Sequence, residues 1–419
     1  MVLKSRRIVS NVENAPPGLS AAPAHGKSLA SRLRSSFRDP ARQRRARAAR
    51  ASKNQAENAR RKGKGKGSGG ANGSGKASAS AAKPAATMEF DITAVAAPPE
   101  SADVEMADAD PAPQLARTTK RYVLPRELRR PPFKEVSAET LLSFEPELGD
   151  GESSDLPDLE YIRDIMEEMG PGLLRAALSV DIAAPENGLP KQIAITLKDT
   201  GSDYPPPTHM LALYRPVAKD APTARRHVTL VPTHSVVLAL HCALLPPFTL
   251  RAAAPEYAPA DSTGAQLTVP VQPLGLPAPP AFAPLAAFLY TKRADQLLKA
   301  LLPAPPPAAL GSGSGSGSDT ERRGFAARLA ATYTGQALMD HALRVYGLWQ
   351  NACVLGVHVD ELWDAVALAW DVLLAALAFS TSQEHLVLNR PPSDPTSAHA
   401  TATPAPEPDP ALAREPDAL

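Results

Sequence analysis

Aromatic residues make up only 5% of this 419-residue chain, and it has just two cysteines, Cys242 and Cys353. Two thiols cannot build a disulfide framework. Both stand in apolar surroundings, so two buried thiols in a reducing compartment are expected. The Walker fingerprint of nucleotide sites and the Gly-x-Ser-x-Gly elbow of hydrolases are missing, and the one Gly-x-Gly-x-x-Gly match is Gly65–Gly70. The glycine run at 63–75 lies in a polar tract with no strand before it, which argues against a phosphate cradle. The N-terminus, MVLKSRRIVSNVENAPP, has no apolar h-region, so secretion is not expected. The longest apolar stretch, Leu362–Phe379, is interrupted by Asp364 and Asp371, each costly in lipid, and reads as a buried core helix.

What is abundant is proline (45) and glycine (25), and alanine inflates the 43% apolar content while burying little area. About half of the chain can offset the entropy of folding by burying apolar surface. The net charge of +1 hides a strong polarity. Residues 1–87 hold 20 Lys or Arg and 3 acidic residues, about +17, which leaves about −16 on the rest.

Residues 1–118 read as a disordered tail, basic and then acidic, with Glu100, Asp103, Glu105, Asp108 and Asp110 in its second part. Two basic clusters are candidates for nuclear localisation: Arg44, Arg45, Arg47 and Arg50, then Arg60, Arg61, Lys62, Lys64 and Lys66. The same arm could meet nucleic-acid phosphates nonspecifically. With Phe37 its only aromatic, it is poorly equipped for base stacking. No apolar face supports membrane binding.

Residues 119–190 form a partly helical segment. KRYVLPRELRRPPFKEVSAETLLSFEPEL carries the anchors Tyr122, Phe133 and Phe144, which either fold back on the domain or contact a partner. Leu159, Ile162, Ile165, Met166 and Met169 follow helical spacing, with Gly170-Pro171-Gly172 as a break and Leu173–Val180 as a further helix. Gln192–Leu197 alternates as an edge strand.

Residues 191–303 are the expected α+β core. Strands at Met210–Tyr214 and His227–Val231 suggest an antiparallel hairpin. A helix over Val236–Leu245 follows, with Thr233 or Ser235 as N-cap, then a strand at Gln266–Val271 and two helices, one rich in Phe and Leu, the other Ala294–Leu302. Arg225 and Arg226, in the hairpin loop, are further partner-contact candidates. Residues 304–320 are a Pro/Gly/Ser linker, residues 321–390 a helix pair (Asp319–Gly347 and Asp360–Phe379), and residues 391–419 a disordered tail.

His227, His234 and His241 recur every seven residues, with Cys242 beside the last. The first falls on a strand and the last on the following helix, so convergence on a metal is not encoded, and no metal or cofactor is expected. Asp340-His341 are adjacent on a helix and face different sides, which disfavours a catalytic dyad. No residue group supports catalysis, and an enzyme is not expected.

The order THSVVLALHCALLP, LTVPV, FAPLAAFLYT resembles the core of a BTB/POZ domain, with His234 at the helix start and Phe282, Leu285, Phe288, Leu289, Tyr290 and Thr291 in the second signature. Over a longer span, HMLALYRP, VTLVPTHSVVLALHCALLP, LPAPPAFAPLAAFLYTKRADQLLKALLP and the tryptophan-containing C-terminal helices resemble the Clampless family of mushroom-forming fungi. That resemblance implies a non-enzymatic regulator of sexual development, acting in clamp-cell formation, the mating-type pathway and cell-cycle control by contacting transcription factors or other regulatory proteins, and the basic clusters add the expectation of a nuclear location. The BTB-like pattern leaves a cullin-ligase substrate adaptor as an alternative, and the basic arm leaves an architectural nucleic-acid binder.

Overall fold

The structure is a computed structural model. It describes residues 87–95, 117–145, 159–198, 203–216, 227–248, 265–310 and 319–383, apart from a few single positions. Within them it is a mixed α and β protein with eight helices and two sheets. The two basic clusters, with Arg225 and Arg226, lie outside the described residues.

The first sheet is a hairpin of β1 (Thr87–Val95) and β2 (Arg117–Pro125). This corrects the reading of everything before residue 118 as unfolded. In TMEFDITAV, Met88, Phe90 and Ile92 turn inward while Glu89 and Asp91 face water, the period of two that a half-buried strand requires. Arg121 on β2 pairs with both acids on the outer face. The charged residues hid the alternation by making the whole stretch look acidic.

Two helices follow, α1 (Ala138–Phe144) and α2 (Leu159–Leu178). Ser137 caps α1 by accepting a hydrogen bond from the Thr140 N–H. The expected break at Gly170-Pro171-Gly172 does not occur, and α2 runs straight through Pro171. The glycines serve close approach instead. A Cβ on Gly170 would stand 1.7 Å from the carbonyl oxygen of Tyr290, and one on Gly172 would stand 2.1 Å from the Tyr204 ring.

The second sheet holds five strands: β3 (Val180–Ile182), β4 (Gln192–Leu197), β5 (His209–Tyr214), β6 (Val228–Thr233) and β7 (Ala265–Gly275), in the order β3-β4-β7-β5-β6. β5 and β6 form the expected antiparallel hairpin, with His209 opposite Thr233. β7 lies parallel to β5 and antiparallel to β4. β4 is therefore internal, not an edge, because β3 covers its free side. β5 is buried on both faces. Leu211 and Leu213 join the main core, while Met210 and Ala212 join a smaller cluster with Ile193, Ile195, Leu267 and Val269.

Helix α3 (Ser235–His241) follows β6 and is shorter than the sequence suggested. Cys242 leaves it to bridge Val357 in an isolated β-pair. After β7 come a 3-10 turn at Pro279–Ala281, α4 (Phe282–Thr291) and α5 (Ala294–Leu301). Leu310, inside the supposed linker, is buried against the core. The expected C-terminal helix pair is three helices: α6 (Asp319–Thr332), α7 (Gly335–Leu355) and α8 (Asp360–Ser380). The long amphipathic pattern divides at Thr334, which caps α7 by accepting from the Ala337 N–H.

Helix α8 is long and apolar enough to span a bilayer, yet 72% of its apolar window is buried within the protein. It is the central rod of the main core, where full burial of each large apolar side chain contributes about 1.5–3 kcal/mol. The three tryptophans place their N–H groups on backbone carbonyls. Trp370 donates to Pro125 and Trp349 to Arg129, fastening the end of β2 and the segment after it, while Trp363 donates to Val357 in the turn before α8.

Candidate functional site

Chemistry-bearing side chains gather at the two ends of α3. At its start, His234 is fully buried and its ring is held on both sides. The Pro205 carbonyl, 3.1 Å from Nε2, can only accept, so Nε2 carries the proton in the neutral ring. Nδ1 is then the acceptor for the Tyr290 O–H at 2.9 Å. The same phenol oxygen accepts from the His234 backbone N–H at 2.8 Å, and Thr233 Oγ1 lies 3.3 Å away. Burial pushes the Tyr290 phenol up to about 12, so it stays protonated.

The cap of α3 also differs from the sequence reading. Neither Thr233 nor Ser235 supplies it. Thr208, just before β5, accepts from the Ser235 N–H at 2.9 Å, and its hydroxyl lies 3.0 Å from that of Ser235. Ser235 in turn donates to Glu145 at the end of α1. This end of α3 thus ties α1, β5, β6 and α4 together through groups that satisfy one another, an arrangement that rigidifies a core.

The other end differs in kind. His241 is buried, and its ring centroid lies 6.2 Å from that of His358, in the turn before α8. The His358 N–H donates to the His241 carbonyl at 3.3 Å. Lys292, just past α4 in a left-handed conformation (φ 53°), lies over the Phe288 ring, its Nζ 5.5 Å from the centroid. Arg163 on α2 acts on all three of these groups electrostatically. Burial lowers Lys292 to about 7, against the opposing pull of Cys242, Glu361 and Glu167. Burial also holds His241 well below its ordinary value, and Lys292, His358 and Arg163 add to the effect. Burial lowers His358 as well. The Cys242 thiol is pushed up to about 12 by burial. Cys353, half-buried rather than buried, is pushed up to about 11 for the same reason.

The other sequence candidates fall elsewhere. Tyr122 is half-buried beneath Lys120 and rests on the main core. The ring of Phe133 meets Trp363 at 6.3 Å, and buried Phe144 meets Phe248 edge-on at 5.1 Å. Of the two uses foreseen for these anchors, the structure displays the fold-back onto the chain's own core. His227 is exposed just before β6, and among the described residues no group of His, Cys, Asp or Glu could hold a metal. Asp340 and His341 do not pair: Asp340 accepts from Gln336, and His341 Nδ1 donates to the Leu301 carbonyl at 2.8 Å. Sequence reasoning missed the second cluster. Arg163, Lys292 and His358 are far apart in the chain, and only the crossing of α2, α4 and the turn before α8 brings them to His241.

Residues 131–277 match the model of the Clampless protein 1 N-terminal domain, and residues 295–411 match that of the Clampless protein 1 C-terminal domain. The chain belongs to the Clampless family. No curated protein and no solved structure matches it. Membership assigns this Clampless protein to the regulation of clamp formation. Its two matched segments share one core. Phe282 and Leu285 of α4, which stands between the segments, lie in the same cluster as Leu238 of the first and Trp370 of the second. Asn351 of the second segment binds both the N–H and the carbonyl of Ala278. The β1–β2 hairpin precedes both segments and adds Phe90 and Ile92 to that core.

Proposed function

We propose that this Clampless protein is a non-enzymatic nuclear regulator of fungal sexual development, acting in the mating-type pathway and cell-cycle control through protein–protein contacts with transcription factors. The observation that carries the reading is the state of the core's polar side chains. The residues best suited to acid–base work, His234, Tyr290 and Ser235, are consumed by hydrogen bonds that hold α3 in place. A BTB-like core is supported by the β6-β5-β7 order, by the His234 helix start and by the Tyr290-bearing helix packed behind it. Nuclear residence is supported by the basic clusters at 44–50 and 60–66.

Leu244 (56% exposed) and Val354 (45% exposed) leave apolar surface open to water near the Cys242–Val357 bridge and are contact candidates. The test is affinity purification from mating cells with a fragment that keeps β1, residues 87–390. Recovery of transcriptional regulators, lost with Leu244→Asp, is the expected result. Recovery of a cullin instead would replace the proposal with the substrate-adaptor reading. Binding to DNA that collapses with salt and needs only the basic arm would replace it with the architectural one.

A further inference from the structure

The cationic end of α3 has no role in the reading above. Five of its nitrogens, Arg163 Nε and Nη2, His241 Nδ1, His358 Nδ1 and Lys292 Nζ, are closed to solvent and have no hydrogen-bond partner among the described residues. Polar groups sealed in this way are rare in native proteins, and a cluster of them calls for a missing partner. Guanidinium and ammonium groups can only donate, and a neutral imidazole can present its N–H at Nδ1, so the missing partner is an acceptor, best one carrying negative charge. Four segments supply the groups: α2, the end of α3, the residue after α4 and the turn before α8.

Acidic residues are near enough to act on the cluster. Glu167 and Glu361 pull on Lys292, and Glu135 pulls on His358. All three are exposed and leave the buried nitrogens unsatisfied. Cys242, the remaining neighbour, is a protonated thiol and cannot balance the charge.

We propose that Arg163, His241, Lys292 and His358 form a binding site for one oxyanion of the phosphate class. A tetrahedral dianion offers enough acceptor oxygens for several converging donors, whereas a carboxylate offers only two. The occupied site would join the N-terminal segment, through Arg163 and His241, to the C-terminal segment, through His358. The ligand is either free phosphate or the phosphoryl group of a modified side chain, since both present the same oxygens.

The full-length protein is titrated with sodium phosphate, with O-phosphoserine, and with sodium chloride at matched ionic strength, at pH 6.5. Melting temperature and phosphorus-31 line width are the readouts. Saturable stabilisation by phosphate or phosphoserine, beyond chloride, is expected. Tighter binding of inorganic phosphate would assign a free ion, and tighter binding of phosphoserine a modified side chain.

Lys292→Met keeps the stem and removes the charge, and Arg163→Leu removes a half-buried donor. Each should weaken phosphate binding at least tenfold. Lys292→Met should melt higher than the parent in chloride alone. Binding should also weaken from pH 6.5 to 8.5, as Lys292, lowered to about 7, loses its proton. A wild-type response to phosphate and phosphoserine no greater than that to chloride would overturn the proposal. So would an undiminished phosphate response in both variants.

Discussion

His234 and His241 are two turns apart on the same short helix, both buried, and their surroundings could hardly differ more. His234 has a carbonyl on one ring nitrogen and a phenol on the other. His241 has Nδ1 sealed with no partner among the described residues, and Lys292, His358 and Arg163 surround it. The lesson is that burial alone does not say what a histidine does. At the first end the polar groups answer one another through hydrogen bonds, so the site stabilises the fold. At the second end charge is buried without an answer, so the site costs stability until an anion supplies one.

The largest effect expected bears on the first end. Gly170→Ala places a methyl where the Tyr290 carbonyl stands, and backbone against backbone cannot yield. It should push α2 off α4, disturb the Tyr290–His234 bond and cost about 3 kcal/mol or more, read as a drop in the denaturant midpoint. Tyr290→Phe is gentler. It keeps the ring and orphans the His234 N–H and Nδ1, for a loss of about 2 kcal/mol. Unchanged stability in either variant would remove the distinction between the two ends.

Lys292→Met should move stability the other way, upward by about 1–2 kcal/mol at pH 7 without phosphate, because it removes a buried unpaired charge. The pH dependence separates the ends by sign. Lys292 titrates at about 7 when folded and near 10.5 when unfolded, so between these values the unfolded chain holds the extra proton and stability rises with pH. His241, lowered well below 6.5, acts in the same sense: its contribution is present above 6.5 and lost as the pH falls below it. Tyr290, raised to about 12 from 10, acts oppositely, and its contribution is lost as the pH climbs past 10. A stability profile between pH 5 and 11 should therefore rise and then turn over, and Lys292→Met should flatten the rise between 7 and 10 alone.

The smallest effect tests the margin of the second end. Arg130 pairs with Asp360 and donates to the His358 carbonyl at 2.8 Å, at an exposed position. Arg130→Ala should cost less than about 1 kcal/mol. A larger loss would mean that the segment after β2 holds the turn before α8 in place.

Much of this was legible beforehand. Alternating or apolar runs such as QIAITL and HMLALY marked strands, and the Phe/Leu repeat of α4 marked a core helix. β1 was legible too, in the alternation of Met88, Phe90 and Ile92, but was masked by the acids between them. The Gly170-Pro171-Gly172 break was misread because glycine and proline usually end a helix, and only the Tyr290 backbone pressed against Gly170 explains why here they do not. The division at Thr334 was lost inside a continuous amphipathic pattern, because one capping hydroxyl leaves little trace in periodicity.

By itself the sequence determined the hairpin–helix–strand–helix order of the centre and the family, because these depend on local spacing and on residue order. Only the tertiary structure decided that Tyr290 answers His234, that Thr208 caps α3, and that Arg163, Lys292 and His358 surround His241. Those partners are set by how helices cross, and a crossing leaves no periodic mark in the chain.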